Sequence, residues 1–146
     1  MINSSLYDEK TFYQTFSRDL EDYQNEVIIE SPYITSERMR TFDHIFQKLL
    51  QKGVKIYILT RDPKEHDDFM EPQSEEIIKW CETVGIQVLL CIGNHHRKLA
   101  ILDRKVLWEG SLNILSQSHS REIMRRIEDR SATMEMFGFL KLYKFL

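Results

Sequence analysis

Apolar positions recur along this chain with two different periods. Between residues 9 and 24, Phe12, Phe16, Leu20 and Tyr23 fall at helical spacing and predict an amphipathic helix. Val27-Ile28-Ile29 is a short β-branched run closed by Ser31-Pro32, the mark of a buried strand. Thr35 or Ser36 can cap a second helix with Glu37 in its first turn, the inner stripe being Met39, Phe42, Ile45, Phe46, Leu49 and Leu50 and the stop Gly53. Residues 54–59 then predict a strand, and residues 61–72 a charged loop between prolines. A third helix carrying Ile77, Ile78, Cys81 and Val84 ends at Gly85, and residues 86–91 form a third strand.

Strands alternating with helices predict a mostly parallel sheet with helical cover. The pattern changes after residue 98. Leu99 to Leu102 and Val106 to Trp108 are short strands separated by Asp103-Arg104-Lys105, which predicts a hairpin and so a mixed sheet. The expected fold class is α/β, a mixed central sheet flanked by helices on both faces, in a single domain spanning residues 1–146. Residues 122–127 are ambiguous between strand and helix. The aromatic tail, Phe137 to Leu146, is either a last core element or an apolar surface for a partner or neighbouring domain.

Composition adds little until it is divided. Apolar residues make up 42% of the chain and the net charge is −3, as for an ordinary globular protein. Residues 1–93 carry −7 and residues 94–146 carry +4, so basic charge gathers in the C-terminal part. A local basic face can collect a polyanion under an unfavourable total. No apolar run approaches the roughly 20 residues of a membrane helix, and no secretory leader is evident. Cys81 and Cys91 read as reduced thiols, so the expected location is cytoplasmic, with no membrane partner. A zinc site at Cys91, His95 and His96 is disfavoured for want of a fourth ligand at suitable spacing.

The chemistry concentrates in His96-Arg97-Lys98-Leu99-Ala100-Ile101-Leu102-Asp103 and Gly110-Ser111-Leu112-Asn113. On an extended chain His96 and Lys98 share a side, and Asp103 falls on the opposite one. Gly110 permits a sharp turn or a close backbone approach to a ligand. An imidazole, an ammonium, a hydroxyl and a carboxamide suit a phosphate: Lys98 supplies charge, Ser111 and Asn113 neutral donors, and His96 a nucleophilic nitrogen or proton shuttle.

This string, H-x-K-x4-D-x6-G-S-x-N, resembles the signature of the phospholipase D superfamily at all of its fixed positions. Ile28-Ile29-Glu30-Ser31-Pro32-Tyr33-Ile34 resembles the first core strand of that family, and the likeness spans about residues 24–130. The resemblance implies a phosphohistidine mechanism without metal or other cofactor. It makes His96 nucleophile or acid, and Lys98 and Asn113 phosphate ligands, with Ser111 holding the site. It makes Glu122 the acceptor that orients the His96 ring, and Asp103 and Gly110 structural. One copy of the motif cannot supply both nucleophile and acid, so it implies a homodimer with a shared active site. Small single-motif bacterial nucleases of the superfamily are similar to this chain, which points to nucleic acid, DNA rather than RNA.

Arg121, Arg125 and Arg126, with Arg130, either track phosphates or pair with Glu122, Glu128 and Asp129. Arg61-Asp62, at a strand end, is placed to line a cleft. Residues 118–127 resemble phospholipase D-like domains appended to bacterial helicases and defence proteins. That likeness implies, as an alternative, a weakly catalytic or non-catalytic nucleic-acid-binding module of a larger multidomain protein. A phospholipid hydrolase is the third reading.

Overall fold

In the computed structural model, which describes residues 2–116 and 119–146, the described residues form one seven-stranded mixed sheet and four α-helices. In chain order these are β1 (Asn3–Asp8), α1 (Phe12–Leu20), β2 (Glu26–Glu30), α2 (Ser36–Gln51), β3 (Lys55–Arg61), α3 (Met70–Val84), β4 (Gln87–Cys91), β5 (Leu99–Leu102), β6 (Val106–Gly110), β7 (Ile123–Glu128) and α4 (Arg130–Phe139). The strand order is β1-β7-β6-β5-β2-β3-β4. β2, β3 and β4 run parallel through the α2 and α3 crossovers, and all other pairings are antiparallel. This is the mixed α/β architecture that the hydrophobic pattern predicts.

Because side chains alternate along a strand, each face of the sheet collects its own core. Val27, Ile29, Ile56, Ile58, Ala100, Leu102 and Trp108 pack under α1, α2 and α3. Ile28, Tyr57, Leu59, Leu99, Ile101 and Leu107 pack on the other side against Phe137 of α4 and Leu142. The tail is therefore divided: Phe137 and Leu142 are buried, whereas Phe139, Tyr143 and Phe145 are exposed.

Three details depart from the sequence pattern. The first helix ends at Leu20 rather than near residue 24. Residues 123–128 resolve to a strand, and α4 follows, capped by the Asp129 carboxylate on the Ala132 N–H at 2.7 Å. β1 was not legible at all. Its sequence, Asn-Ser-Ser-Leu-Tyr-Asp, has no apolar run, and it exists by pairing as an edge strand with β7. Only Tyr7 anchors it inward, its ring 5.1 Å from that of Trp108.

The β5–β6 hairpin turns through Asp103 (φ 51°) and Arg104 (φ 57°), both left-handed, as a tight two-residue turn requires. Asp103 offsets that strain. Its carboxylate accepts the backbone N–H groups of Gln24, Asn25 and Glu26 at 2.8–3.0 Å, tying the hairpin to the start of β2. Burial works to raise its pKa, but these three donors outweigh it and hold the group below the ordinary carboxylate value.

Candidate active site

The antiparallel placement of β5 between β2 and β6 decides where the motif falls. β5 starts beside the C-terminal end of β2, with Leu99 opposite Glu30, and beside the end of β6, with Leu99 opposite Glu109. Residues 92–98 therefore cross the edge of the sheet where the parallel strands end, the usual position of ligand sites in such sheets. His96 and Lys98 lie in this connection, just ahead of β5 and not within a strand.

Three side chains from outside the motif clamp the connection. Glu65 accepts the N–H groups of Gly93 and Asn94 at 2.8 and 3.0 Å, holding a bend in which both residues have positive φ. Glu30, fully buried at the end of β2, receives Arg97 Nε at 2.9 Å and lies 2.9 Å from His95 Nε2. Arg61, at the end of β3, donates Nε to the His95 carbonyl at 3.3 Å, Nη1 to the Tyr33 hydroxyl at 3.3 Å, and Nη2 to His96 Nδ1 at 3.4 Å. His95 and Arg97 are thus drawn to Glu30, while Lys98 Nζ donates to the His96 carbonyl at 2.7 Å. His96 is exposed and Lys98 half-buried.

The electrostatics follow from that geometry. The Lys98 charge, then burial, Arg61 and His95, lower the His96 pKa and so favour its neutral ring. Burial chiefly lowers the Lys98 pKa; Glu122 opposes the shift and Arg61 adds to it. His95 behaves in the opposite way: the Cys91 sulfur first, then Glu30, push it up to about 9. A protonated His95 and Arg97 thus share the buried Glu30 carboxylate, which burial without cationic partners would penalise heavily.

The second half of the motif sits where β6 meets β7. The Ser111 hydroxyl accepts the Ile123 N–H at 3.0 Å, and the Ser111 N–H donates to the Ile123 carbonyl at 2.9 Å. Of the two roles expected of Ser111, neutral phosphate donor and holding the site, these bonds to the β7 backbone accord with the second. Residues 111–116 are held further by Ser31 Oγ on the Leu115 N–H and by the Tyr13 hydroxyl on the carbonyls of Asn113, Ile114 and Ser116. Asn113 Oδ1 is buried and has no hydrogen-bond partner among the described residues.

Gly110 does make a close approach, but to β7 and not to a ligand. A Cβ there would overlap the Ile123 carbonyl oxygen and come within 2.8 Å of Met124 Sδ and 2.9 Å of Met124 Cα. Gly110→Ala is expected to push β6 off β7 at the point where Ser111 is anchored. The cost should be about 1–3 kcal/mol, as for other overpacked sites. A urea denaturation midpoint equal to that of the parent protein would contradict this.

Two further residues differ from the places expected of them. Glu122 makes no hydrogen bond to His96 among the described residues, although its charge acts on Lys98. Its backbone N–H donates to Glu9 Oε1 at 2.8 Å, and the only side-chain contact at His96 Nδ1 among the described residues is Arg61. Arg126 is not placed as a phosphate contact. It faces the α1 side of the sheet, 18% exposed, with Nε and Nη2 bound to the Asp19 carboxylate at 2.9 and 3.0 Å. The alternation of β7 that turns Arg126 inward turns Arg125 outward, where Nη1 donates to Ser4 Oγ. Arg121 is exposed. Arg97, Lys98 and Arg125 line a groove of about 580 Å³ on the α4 side of the sheet, with Leu6, Ile123 and Phe139 among its apolar walls.

Of the residues that hold the site, Glu30, Glu65 and His95 had no assigned role in the motif. The one signal for Glu30 was a carboxylate at the end of the apolar run Val-Ile-Ile. For Glu65, in a charged loop, there was none.

This sheet order, with a histidine and a lysine brought to the strand ends by a motif split across β5 and β6, defines a phosphodiesterase-type fold. The chain belongs to the phospholipase D superfamily: residues 17–138 match the family described as cardiolipin synthase, PLD-like domain. Among solved structures it is similar to NucT from Helicobacter pylori (TM-score 0.72, 16% identity, covering 97% of this chain and 94% of that one). It is also similar to the phospholipase D family member Nuc from Salmonella typhimurium (TM-score 0.75, 11% identity, 97% and 93% covered). Phosphatidylserine synthase from Haemophilus influenzae matches at TM-score 0.65 and 15% identity, covering 93% of this chain but 38% of that one. At these identities the likeness is one of fold. No curated protein sequence matches the chain. Among the described residues no helix is long and apolar enough to cross a membrane.

Proposed function

We propose that this protein is a metal-independent phosphodiesterase that cleaves nucleic acid, DNA in the first instance, as a homodimer with a shared active site. The observation that carries the reading is the placement of an exposed His96 and a half-buried Lys98 in one short connection at the ends of the parallel strands, beside Arg61. Lys98, Arg61 and the Asn113 amide N–H supply the positive charge and donors that a phosphorane needs.

In this reading Nε2 of one His96 attacks phosphorus. A P–N bond forms as the P–O bond to the leaving group breaks. The second His96, from the partner and in its imidazolium form, gives a proton to the leaving oxygen and becomes neutral. Water then attacks the phosphohistidine, returning a proton to that second ring and freeing the first. These residues contain one such motif, and in this reading the second ring comes from another copy. The groove beside Lys98 supports this, because Leu6, Ile123 and Phe139 are exposed around it. Nucleic acid is favoured over lipid by charge, since Arg97, Lys98 and Arg125 share one groove.

The test is incubation with labelled single-stranded DNA, duplex DNA, RNA and phosphatidylcholine vesicles, each in EDTA. Cleavage of DNA is expected to survive EDTA. Binding of nucleic acid without cleavage would move the protein to the class of binding modules. Turnover of the lipid alone would make it a phospholipid hydrolase.

A further inference from the structure

Three arginines are neutralised within the fold: Arg97 pairs with Glu30, Arg104 with Glu26 and Arg126 with Asp19. Arg38, in the first turn of α2, is held by neutral partners instead. Its guanidinium carbon lies 3.5 Å from the centroid of the Tyr13 ring, and its Nε donates to the Ser116 carbonyl at 3.3 Å. The Tyr13 hydroxyl in turn bonds the carbonyls of Asn113, Ile114 and Ser116, so both partners of Arg38 belong to one clamp. Among the described residues no carboxylate, that of the neighbouring Glu37 included, lies within ion-pairing distance of Arg38. A half-buried guanidinium is thus fixed in orientation while its charge is left unmatched. A neutral donor would bond the Ser116 carbonyl as well, so the charge answers to something outside the chain. Because α2 leaves the end of β2, that charge stands at the same edge of the sheet as His96, anchored three residues past Asn113.

We propose that Arg38 binds a second phosphate of the substrate, one that flanks the phosphate attacked by His96. The inference rests on the phosphodiesterase reading above and narrows its substrate to a polyanionic strand. A nucleic-acid strand presents a phosphate at every nucleotide, whereas a phosphatidylcholine headgroup presents one. Arg61 touches the His96 ring and so belongs, in that reading, to the scissile phosphate. Arg38 makes no contact with His96 or Lys98 among the described residues, and its charge is not among those acting on either group. It is therefore placed for a different phosphate. With one face of the guanidinium stacked on Tyr13, its edge remains to donate, and parallel N–H groups on that edge match two phosphate oxygens. The rigid seating means that little side-chain freedom is lost when the phosphate arrives.

The experiment is fluorescence anisotropy of a short labelled single-stranded DNA bound by the full chain in EDTA, every protein carrying His96→Asn so that nothing is cut. Adding Arg38→Gln, whose amide can still donate to the Ser116 carbonyl, is expected to weaken binding about tenfold. The slope of log affinity against log salt should become shallower by about 0.7, the share of one phosphate contact on a single strand. Arg38→Lys, which keeps the charge, should keep the slope. Arg40→Gln removes an exposed arginine two residues on and should have the smaller effect. Unchanged affinity and slope in a folded Arg38→Gln overturn the inference. So does an equal loss in Arg40→Gln, which would make the effect one of general charge. So does binding of phosphatidylcholine vesicles that depends on Arg38 while binding of DNA does not. A second measurement needs no variant at Arg38: its side-chain Nε–H resonance should shift on titration with the DNA, and a silent resonance overturns the inference. If binding depends on Arg38 while the parent protein cleaves no phosphodiester, the functional reading fails and the phosphate subsite stands. If the parent cleaves DNA while Arg38→Gln binds it unchanged, the subsite alone fails.

Discussion

His96→Asn is expected to lower phosphodiester cleavage by at least about 10⁴-fold, since it removes the nucleophile of one step and the proton donor of the other. Folding should be unaffected. His96 is exposed, and its only side-chain hydrogen-bonding contact among the described residues is the one with Arg61. The same variant tests the shared site. When inactive and parent protomers are mixed and allowed to exchange, only pairs with two intact rings can both attack and protonate. Activity should then follow the square of the intact fraction, falling to about one quarter at an equal mixture. A fall to one half would mean that each protomer works alone and would sink the two-ring reading. Sedimentation of the parent protein should show a dimer in the same buffer.

Asp19→Ala should produce the largest loss of stability. This carboxylate, at the end of α1, accepts four donors: Arg126 Nε and Nη2, Trp108 Nε1 at 2.8 Å and the Tyr23 hydroxyl at 2.7 Å. Trp108 is fully buried and stands edge-on to Phe12 and Phe16, so the cluster lies at the centre of the core under α1. Removing Asp19 leaves a guanidinium with little access to water, and an indole N–H and a phenol without their acceptor. Breaking such a pair from one side costs about 3–5 kcal/mol, which corresponds to a melting-temperature drop of about 10 °C for a domain of this size. Asp19→Asn keeps the acceptor and loses the charge, so its drop should be smaller. Thermal melts followed by circular dichroism decide the matter. A change of under about 3 °C for Asp19→Ala would show that Arg126 is satisfied elsewhere, and would reopen its role as a phosphate contact.

The arginine cluster shows why local reading reaches a limit. Arg125 and Arg126 are adjacent and chemically identical, and nothing near them in the chain distinguishes a groove residue from a core ion pair. The distinction comes from the pleat of β7 and from Asp19, 107 residues away. Glu122 is a related case: in this structure Arg61 of β3 lies at His96 Nδ1, and the charge of Glu122 acts on Lys98.

The chain's own periodicities determined β2 to β4, the helices between them and the β5–β6 hairpin, because burial of one face imposes a repeat that neighbouring residues must obey. The spaced motif likewise singled out His96, Lys98 and Asn113, the residues to which the proposed function assigns the chemistry. Tertiary structure alone decided the rest: that β1 exists, that Gly110 serves a strand crossing, and that Glu30, Glu65 and Arg61 hold the loop bearing His96. These features depend on partners far apart in sequence, and a polar side chain has no period that reveals which distant group it will meet.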